Sequence, residues 1–211
     1  MRANSSKIIM AILFSLVLLP ASAAAQTEEP QQGATQQLKT TLNDILNVLL
    51  DPTLRQEQHK AQRMQKVQAL FRQLFAERTF CERALGRHWK KRTKAEQDEF
   101  ILLFSDLLIN TYLGRIDGYL TGNTSFSNQS IAYHGERATK AYTLVTTGVL
   151  IDQSKIIPVL YRMETIDGTW KVTDIAIEGI SLLRNYRAQF NEIIANAGYD
   201  ELLKRLKAKK V

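Results

Sequence analysis

Cysteine and histidine are scarce in this sequence, and their scarcity excludes several classes of site. Cys81 is the only cysteine among 211 residues, so no intramolecular disulfide forms and the core must supply the stability. The three histidines, His59, His88 and His134, lie on separate segments, without cysteine or acidic residues at metal-ligand spacing. The sequence also has no Gly-x-Ser-x-Gly nucleophile elbow and no glycine-rich phosphate loop. We therefore expect no metal, no resident cofactor and no enzyme of these classes.

A thiol–imidazole pair is one nucleophilic arrangement that the sequence offers. Cys81 and His88 are seven residues apart, which could place both side chains on one helix face and activate the thiolate. Gly86, however, is expected to end that helix before His88. The sequence therefore favours a chance spacing over a catalytic dyad.

The uncharged apolar run at the N terminus is too short to span a bilayer. Arg2 and Lys7 precede this run, which extends from Ile8 to Leu19 and is followed by Pro20 and small residues through Ala25. A membrane-spanning helix needs roughly 20 apolar residues. The basic start and the Ala-x-Ala-like end are typical of a cleaved secretory signal peptide. We predict a signal peptide over residues 1–25, a disordered segment over 26–35 and a soluble protein in the periplasm.

Positive charge exceeds negative charge along the chain. The formal net charge is +7, and removal of Arg2 and Lys7 with the signal peptide lowers it to +5. A basic balance often indicates nucleic-acid binding, but an exported protein rarely meets nucleic acid. We therefore expect an anionic lipid or an acidic protein as the partner, and no nucleic acid.

Helical periodicity dominates residues 36–120. Apolar residues from Leu38 to Leu49 recur at helical spacing, and Asp51 is expected to end this first helix and cap a second one. The second helix is polar over Arg55–Arg63, so we predict that this half is exposed. A capping box at Thr93–Glu96 opens a third, strongly apolar helix.

Four runs between residues 125 and 177 have the composition of strands. They are bounded by turn signals, among them Gly135-Glu136 and Asp167-Gly168, and Pro158 predicts a bulge or an edge position within the third. The four runs are residues 131–133, 138–151, 156–166 and 169–177. Helices are expected again over about 181–208, with Ser181 as the N-cap and Gly198 as a left-handed break.

The last strand shows a regular alternation. Strict alternation places Trp170, Val172, Asp174 and Ala176 on one face, which we predict to be the inner one. Helices followed by a meander of strands and a returning helix indicate an α+β fold. We predict one lipid-binding domain over residues 36–211, with a curved four-stranded antiparallel sheet packed against a helical bundle.

Several fragments of the chain together resemble the MlaC family, the periplasmic phospholipid-carrying proteins of the Mla lipid-asymmetry pathway. The last of them reads W-K-V-x-D, E-G-I-S and N-Y-R-x-Q-F between Trp170 and Phe190. The sequence departs from the family pattern at Thr173, where an aromatic residue often stands. The other fragments, in chain order, are Ala84–Trp89, Glu96-Gln97 with Phe100 and Phe104, Thr111-Tyr112, and Ile157–Val159 with Tyr161.

The resemblance implies a nuclear-transport-factor-like cone that carries a phospholipid as cargo. It implies a monomer that passes lipid between an outer-membrane lipoprotein–porin complex and the substrate-binding ring of an inner-membrane ABC transporter, and so maintains outer-membrane lipid asymmetry. The acyl tails would enter between the sheet and the helices. The candidate lipid-binding residues are Phe71, Phe75, Leu103, Phe104, Leu107, Leu108, Tyr112, Val145, Val149, Val159, Tyr161, Trp170, Val172, Ile180, Tyr186, Phe190 and Ile194.

The residues around the start of the last helix are candidates for the mouth of the site. Arg184 and Arg187 oppose the dipole of that helix, and the free backbone N–H groups beside them would suit a phosphate. A salt bridge from Glu178 or Asp174 to one of these arginines is an equally good interpretation. We assign the headgroup or mouth region to Arg162, Glu178, Arg184 and Arg187.

Two other functions remain open at the level of sequence. A cone-fold enzyme could act on a small hydrophobic substrate with Asp174 as general base and Tyr142, Tyr161 or Tyr186 as hydrogen-bond donor. A structural role for Asp174 at the end of its strand is the favoured interpretation. A ligand-free interaction module of the cell envelope is the third possibility.

Overall fold

The computed structural model describes residues 33–122, 126–151 and 155–209. The predicted signal peptide and residues 26–32 of the predicted disordered segment lie outside these ranges. The first helix begins at Ala34, slightly earlier than the sequence indicated. Within the described ranges the helices are α1 Ala34–Leu50, α2 Lys60–Leu74, α3 Glu77–Leu85, α4 Lys94–Leu108, α5 Gly114–Gly122 and α6 Leu182–Lys207. The strands are β1 Ile131–Ala138, β2 Thr143–Ile151, β3 Lys155–Ile166, β4 Thr169–Ile177 and β5 Ile180–Ser181.

The predicted α+β architecture is confirmed. The strands form one antiparallel meander in the order β1-β2-β3-β4-β5, and one face of this sheet packs against α1, α3, α4 and α6. The described sheet has five strands instead of four. β5 is a two-residue strand that pairs with the end of β4 across the Glu178-Gly179 turn. Both turn residues have positive φ, 51° and 82°, which is the conformation that a two-residue hairpin requires.

Two of the predicted helix caps are present. The third predicted cap residue, Asp51, binds nearby backbone N–H groups but does not start the second helix. The Thr93 hydroxyl accepts from the Glu96 N–H, and Glu96 accepts from the Thr93 N–H over 2.6 Å. Ser181 caps α6 by accepting from the Arg184 N–H. Asp51 accepts from the next two free N–H groups, but α2 begins only at Lys60. The reason is Gln56, whose extended backbone (ψ 140°) interrupts the helix.

The helical layer contains a continuous segment from α4 to α5. A single π-helix, Ile109–Leu113, joins the two helices, and such insertions often occur at functional sites. Gly198 (φ 85°) breaks α6 into two segments, as predicted. None of the helices in the described chain combines the length and hydrophobicity that crossing a bilayer requires.

The predicted turn at Gly135-Glu136 is wrong. β1 continues through these residues to Ala138, and the chain turns at residues 139–142, where the Thr139 N–H donates to the Tyr142 carbonyl. His134 is instead an extra residue between Tyr133 and Gly135, and Gly135 (φ 107°) lies within this β-bulge opposite β2. Glycine tolerates this φ without a steric clash, so the bulge bends the strand without ending it.

Pro158 lies in a central strand at a point that is locally an edge. β3 pairs with both β2 and β4, but β4 ends at Ile177, opposite Val159. Pro158 is therefore one residue beyond the ladder on the β4 side, where its carbonyl accepts from the Glu178 N–H. The missing N–H of proline removes no ladder hydrogen bond there. β3 is nevertheless a central strand, and its pairing with β2 runs through Pro158 without a register shift, so the predicted bulge or edge strand is wrong.

A second β-bulge changes which residues of β4 face the core. Arg162 pairs with Asp174 and Met163 with Val172, so Thr173 is an additional residue on β4. Val172 remains on the inner face with Met163, but Asp174 shares the outer face with Arg162. The predicted inner position of Asp174 and Ala176 is therefore wrong. Beyond the bulge, Ile175 and Ile177 pack against the core instead.

A buried ion pair that the sequence does not predict joins α2 to α5. The Arg63 side chain is 1% exposed and that of Asp117 is 7% exposed. The Arg63 Nε and Nη2 atoms donate to the two Asp117 carboxylate oxygens over 2.6 and 2.9 Å, and Nη1 donates to the Leu54 carbonyl. The prediction that Arg55–Arg63 is exposed is thus wrong for Arg63, because α5 supplies a carboxylate 54 residues later in the chain.

Candidate functional site

The candidate lipid-binding residues lie together between the sheet and the helices. Sixteen of the seventeen belong to one continuous apolar cluster. Ten of them are buried: Phe75, Phe104, Leu107, Leu108, Val145, Val159, Tyr161, Val172, Tyr186 and Phe190. Six are partly buried against these: Phe71, Leu103, Tyr112, Val149, Trp170 and Ile194. Ile180 is the exception, because β5 is a short edge strand that leaves its side chain 64% exposed.

Aromatic rings form the centre of this cluster. The Phe104 ring contacts four others, with centroid distances of 4.8 Å to Phe190, 4.9 Å to Tyr186, 5.5 Å to Phe100 and 5.7 Å to Phe80. The contacts with Phe190 and Tyr186 are edge-to-face, a geometry that stabilises aromatic pairs beyond their buried area. Phe104 therefore connects α4 to both α3 and α6.

Several residues of the cluster were absent from the predicted set. Phe80 and Phe100 are 1% and 0% exposed and belong to the aromatic network. The four-residue spacing from Phe100 to Phe104 on one helix was a signal that could have identified Phe100. Ile175 and Ile177 were missed for a different reason, since the bulge at Thr173 reverses the alternation on which the prediction depended.

Polar atoms also face the interior of the sheet. The hydroxyl oxygens of Tyr133 on β1 and Thr147 on β2 are buried and form no hydrogen bond of ordinary geometry within the described chain, although the Thr147 hydroxyl lies close enough to that of Tyr161 to act against the rise in the pKa of Tyr161. These two residues are direct cross-strand partners. Burial raises the pKa of Tyr133 to about 12, and the neighbouring Tyr161 adds to the rise. Burial likewise raises the pKa of Tyr161. The inner face therefore carries uncharged hydroxyl groups among its apolar side chains.

Arg162, assigned to the mouth, is engaged within the protein. Its guanidinium group lies 3.9 Å from the centroid of the Tyr142 ring, and its Nε donates to Glu164 over 2.8 Å. Arg83 on α3 also binds Glu164, with two hydrogen bonds of 2.7 Å. Burial acts to raise the pKa of Glu164, but the hydrogen bonds from Arg83, Thr173 and Arg162 outweigh it and lower the pKa to about 2. Two arginines thus share one carboxylate.

Glu164 gives the stability of the fold a dependence on acid. Its folded-state pKa of about 2 lies below the model-compound value of 4.5, so its contribution is complete above that value and is lost as the pH falls towards 2. We expect the wild type to lose about 1–2 kcal/mol more stability than Glu164→Gln between about pH 5 and pH 2, after allowance for solvent screening. Urea unfolding at several pH values measures this difference, with Glu178→Gln as the control for an exposed carboxylate. Parallel pH profiles for wild type and Glu164→Gln would contradict the expectation.

The start of α6 is capped by side chains of the protein itself. Asp174 accepts from the Ser181 hydroxyl over 2.6 Å and from the Leu183 N–H over 3.1 Å, while the Ser181 hydroxyl accepts from the Arg184 N–H. The Leu183 N–H, one of the groups that we expected to bind a phosphate, is therefore already bonded, as is the neighbouring N–H of Arg184. The same contacts give Asp174 the structural role that the sequence favoured, and they hold it on the outer face.

The remaining mouth residues are exposed and dispersed. Arg184 and Arg187 form no ion pair with Glu178 or Asp174 among the described contacts, so the predicted salt bridge is not present there. The Glu178 carboxylate is instead 4.0 Å from the Lys155 ammonium group. The Arg187 guanidinium group lies against the backbone of Gly86, where an added Cβ would be 3.0 Å from its Nε atom.

Catalytic and metal-binding arrangements find no support in the described part of the chain. Cys81 is 1% exposed, and burial raises the pKa of its thiol, which disfavours the reactive thiolate. His88 lies beyond Gly86 and is hydrogen-bonded to Asn191 over 2.9 Å. In residues 33–122, 126–151 and 155–209, no group of three or more histidine, cysteine or acidic side chains is placed to hold a metal ion.

Comparisons with known proteins agree with this arrangement. A family model described as MlaC protein matches residues 39–208. The intermembrane phospholipid transport system binding protein MlaC of Haemophilus influenzae is 24% identical over 129 residues, which are 59% of this chain and 57% of that protein. The chain thus aligns with little more than half the length of that curated relative.

A solved structure is similar over most of this chain. It is the phospholipid-binding protein from Ralstonia solanacearum in complex with a phospholipid. The two chains are 27% identical and superpose with a TM-score of 0.73, covering 85% of this chain and 97% of the other. The similarity therefore includes the sheet and the helices that enclose the apolar cluster.

Proposed function

The chain belongs to the MlaC family, and on that basis we propose that it is a carrier that holds the acyl chains of a phospholipid between its sheet and its helices. The observation that supports this most directly is the similarity to the Ralstonia protein in complex with a phospholipid, over 85% of the chain. The sixteen clustered candidate residues supply an apolar surface of the required kind.

The physical need for such a carrier follows from the acyl chains. Each buried methylene group contributes about 0.8 kcal/mol, so two long chains cannot cross water unaided at a useful rate. The candidate residues pack against one another between the sheet and α4 and α6. Acyl chains reach these side chains only if the sheet and the helices move apart, so the proposal includes an opening step. The β4–β5 turn and the π-helix are the proposed hinges.

We place this carrier in the periplasm, after removal of the predicted signal peptide. There it would act as a monomer that exchanges lipid with an outer-membrane lipoprotein–porin complex and with the substrate-binding ring of an inner-membrane ABC transporter. The headgroup would stay near the surface, with Arg184 and Arg187 as exposed cations in reach of an anion. These assignments rest on family membership together with the exposure of the two arginines.

The enzyme alternative receives no support from a specific contact. A general base needs a carboxylate directed towards the substrate, but Asp174 lies on the outer face and its oxygens are bonded to Ser181 and Leu183. We therefore propose a binding and transport function without catalysis, with phospholipid as cargo and no cofactor.

Detergent-free purification followed by mass spectrometry tests the carrier function. We expect the chain expressed from Gln26 to show a discrete excess mass under native conditions, and this mass should resolve into phospholipid on denaturation. Incubation of the delipidated protein with phospholipid vesicles should restore it. A polypeptide mass that stays unchanged after this incubation would overturn the proposal.

A further inference from the structure

Two buried hydroxyl groups on the inner face of the sheet lack hydrogen bonds of ordinary geometry within the described chain. The Tyr133 hydroxyl has no partner there, and the Thr147 hydroxyl, on a residue that is 0% exposed, has only the nearby hydroxyl of Tyr161. Their strands pair these residues directly, which brings the Cβ atoms to about 5 Å from each other. Unpaired buried hydroxyls destabilise a fold, and phenylalanine or valine would fill the same space without that cost. Their presence among apolar neighbours therefore indicates a ligand that bonds to them.

A third hydroxyl lies on the same face. Tyr161 on β3 is 8% exposed and pairs with Val145, two residues from Thr147 along β2, so the Tyr161 ring is a diagonal neighbour of Thr147. Tyrosine phenols are protonated near neutral pH, and burial raises the pKa of Tyr133 and Tyr161 further. The group therefore presents neutral O–H donors from three adjacent strands.

The chemistry of these donors selects an uncharged acceptor. The Lys39 ammonium group lies outside this cluster, on an exposed side chain of α1 and 5.7 Å from the centroid of the Tyr133 ring. Neutral hydroxyls inside an apolar cluster suit a carbonyl oxygen better than a phosphate, whose charge is costly to bury. In a diacyl phospholipid, the ester carbonyls are the uncharged acceptors that are continuous with the acyl chains.

We propose that the hydroxyls of Tyr133, Thr147 and Tyr161 form a subsite that donates hydrogen bonds to the ester carbonyl oxygens of the bound phospholipid. This inference rests on the proposed carrier function. It places the ester region of the lipid beside β1, β2 and β3. The apolar residues hold the chains through non-directional contacts, and the hydroxyls fix how deep the lipid lies.

An ester-against-ether competition tests the subsite. The delipidated protein is incubated with vesicles that contain equal amounts of dioleoyl phosphatidylglycerol and its dioleyl ether analogue, and native mass spectrometry gives the ratio of the two bound lipids. Since each neutral hydrogen bond contributes about two- to tenfold, we expect the wild type to prefer the ester by about tenfold. Tyr133→Phe, Thr147→Val and Tyr161→Phe should each reduce the preference about twofold, and the triple variant should bind both lipids equally.

Tyr199→Phe is the matched control. It removes a buried tyrosine hydroxyl that already donates to the Glu96 carbonyl, so it should leave the ester preference unchanged and lower the melting temperature. In delipidated protein, Tyr133→Phe should leave the melting temperature unchanged or raise it, because it removes a buried hydroxyl that has no partner within the described chain.

The outcomes separate the subsite from the carrier function. Failure of the wild type to bind either lipid would refute the carrier function itself. Equal binding of ester and ether by the wild type would leave the carrier intact and overturn the subsite, as expected if water satisfied the hydroxyls. Retention of the full ester preference by the triple variant, or a lower melting temperature for delipidated Tyr133→Phe, would overturn it as well.

Discussion

Replacement of Asp117 by asparagine should destabilise the protein by about 3–5 kcal/mol. The Arg63 side chain is 1% exposed, and Asp117 is the carboxylate to which its Nε and Nη2 atoms donate. Asparagine keeps one acceptor but removes the negative charge, so the guanidinium charge remains buried without compensation. The loss is large relative to the roughly 5–15 kcal/mol that stabilises a typical domain.

Urea unfolding of Asp117→Asn measures this effect, with Asp98→Asn as the matched control. Asp98 also accepts hydrogen bonds from two cations, Lys94 and Arg78, but its side chain is 49% exposed. Exposed pairs contribute about 0–1 kcal/mol, so the control should differ little from the wild type. Equal effects of the two substitutions would show that burial of the Arg63 pair does not determine its contribution.

Removal of both charges gives a second, independent comparison. Arg63→Met combined with Asp117→Leu leaves no buried charge, so it should be less destabilising than Asp117→Asn alone. Part of the cost remains, because the Leu54 carbonyl loses the hydrogen bond from Arg63 Nη1. A double variant less stable than Asp117→Asn would mean that the pair contributes through specific packing of α2 against α5.

Local signals predicted the parts of this fold that depend on neighbouring residues. The Thr93 capping box and the Ser181 cap need residues only three positions away, and the sequence displays those residues. The Asp167-Gly168 turn likewise has positive φ at both positions, 50° and 71°. Such signals are reliable because the groups that satisfy each backbone N–H are encoded in the same short segment.

Features that depend on distant segments were not predictable in the same way. The charge of Arg63 predicts an exposed side chain, because its partner Asp117 is 54 residues away and nothing near Arg63 in the sequence identifies it. The bulge at Thr173 depends on the register between β3 and β4. One additional residue reverses every later side chain of the strand, which moved Asp174 outward and Ile175 inward.

The candidate site shows the same contrast between features set by local sequence and features set by distant segments. The apolar residues were predicted well because hydrophobic periodicity marks the buried face of each element, whichever elements it meets. The hydroxyls of Tyr133 and Thr147 were missed because tyrosine and threonine are common in exposed strands. Only the pairing of β1 with β2, together with the helices over them, shows that these hydroxyls are buried side by side and that the Tyr133 hydroxyl has no partner in the described chain.

Phe104→Ala should be the most destabilising single truncation in the apolar cluster, with a loss of about 3–5 kcal/mol. Phe104 is 0% exposed and its ring contacts four other aromatic rings on α3, α4 and α6. The substitution leaves a cavity that these rings can only partly fill. Leu102→Ala, two residues earlier on α4, is the control, since Leu102 is 56% exposed and its truncation should cost little. A small loss for Phe104→Ala would mean that the helices collapse readily onto the sheet.

The dependence of this loss on bound lipid distinguishes a permanent core from a lipid-lined surface. If the acyl chains lie against Phe104, they fill part of the space that the alanine substitution opens. Phe104→Ala should then cost less stability in protein loaded with dioleoyl phosphatidylglycerol than in delipidated protein, whereas Leu102→Ala should show no such difference. An equal cost in both samples would assign Phe104 to a core that remains closed around the lipid, and would leave the chains to contact the sheet at Val145 and Val159. Thermal unfolding of the two variants, each with and without lipid, therefore identifies which side of the cluster separates when the carrier opens.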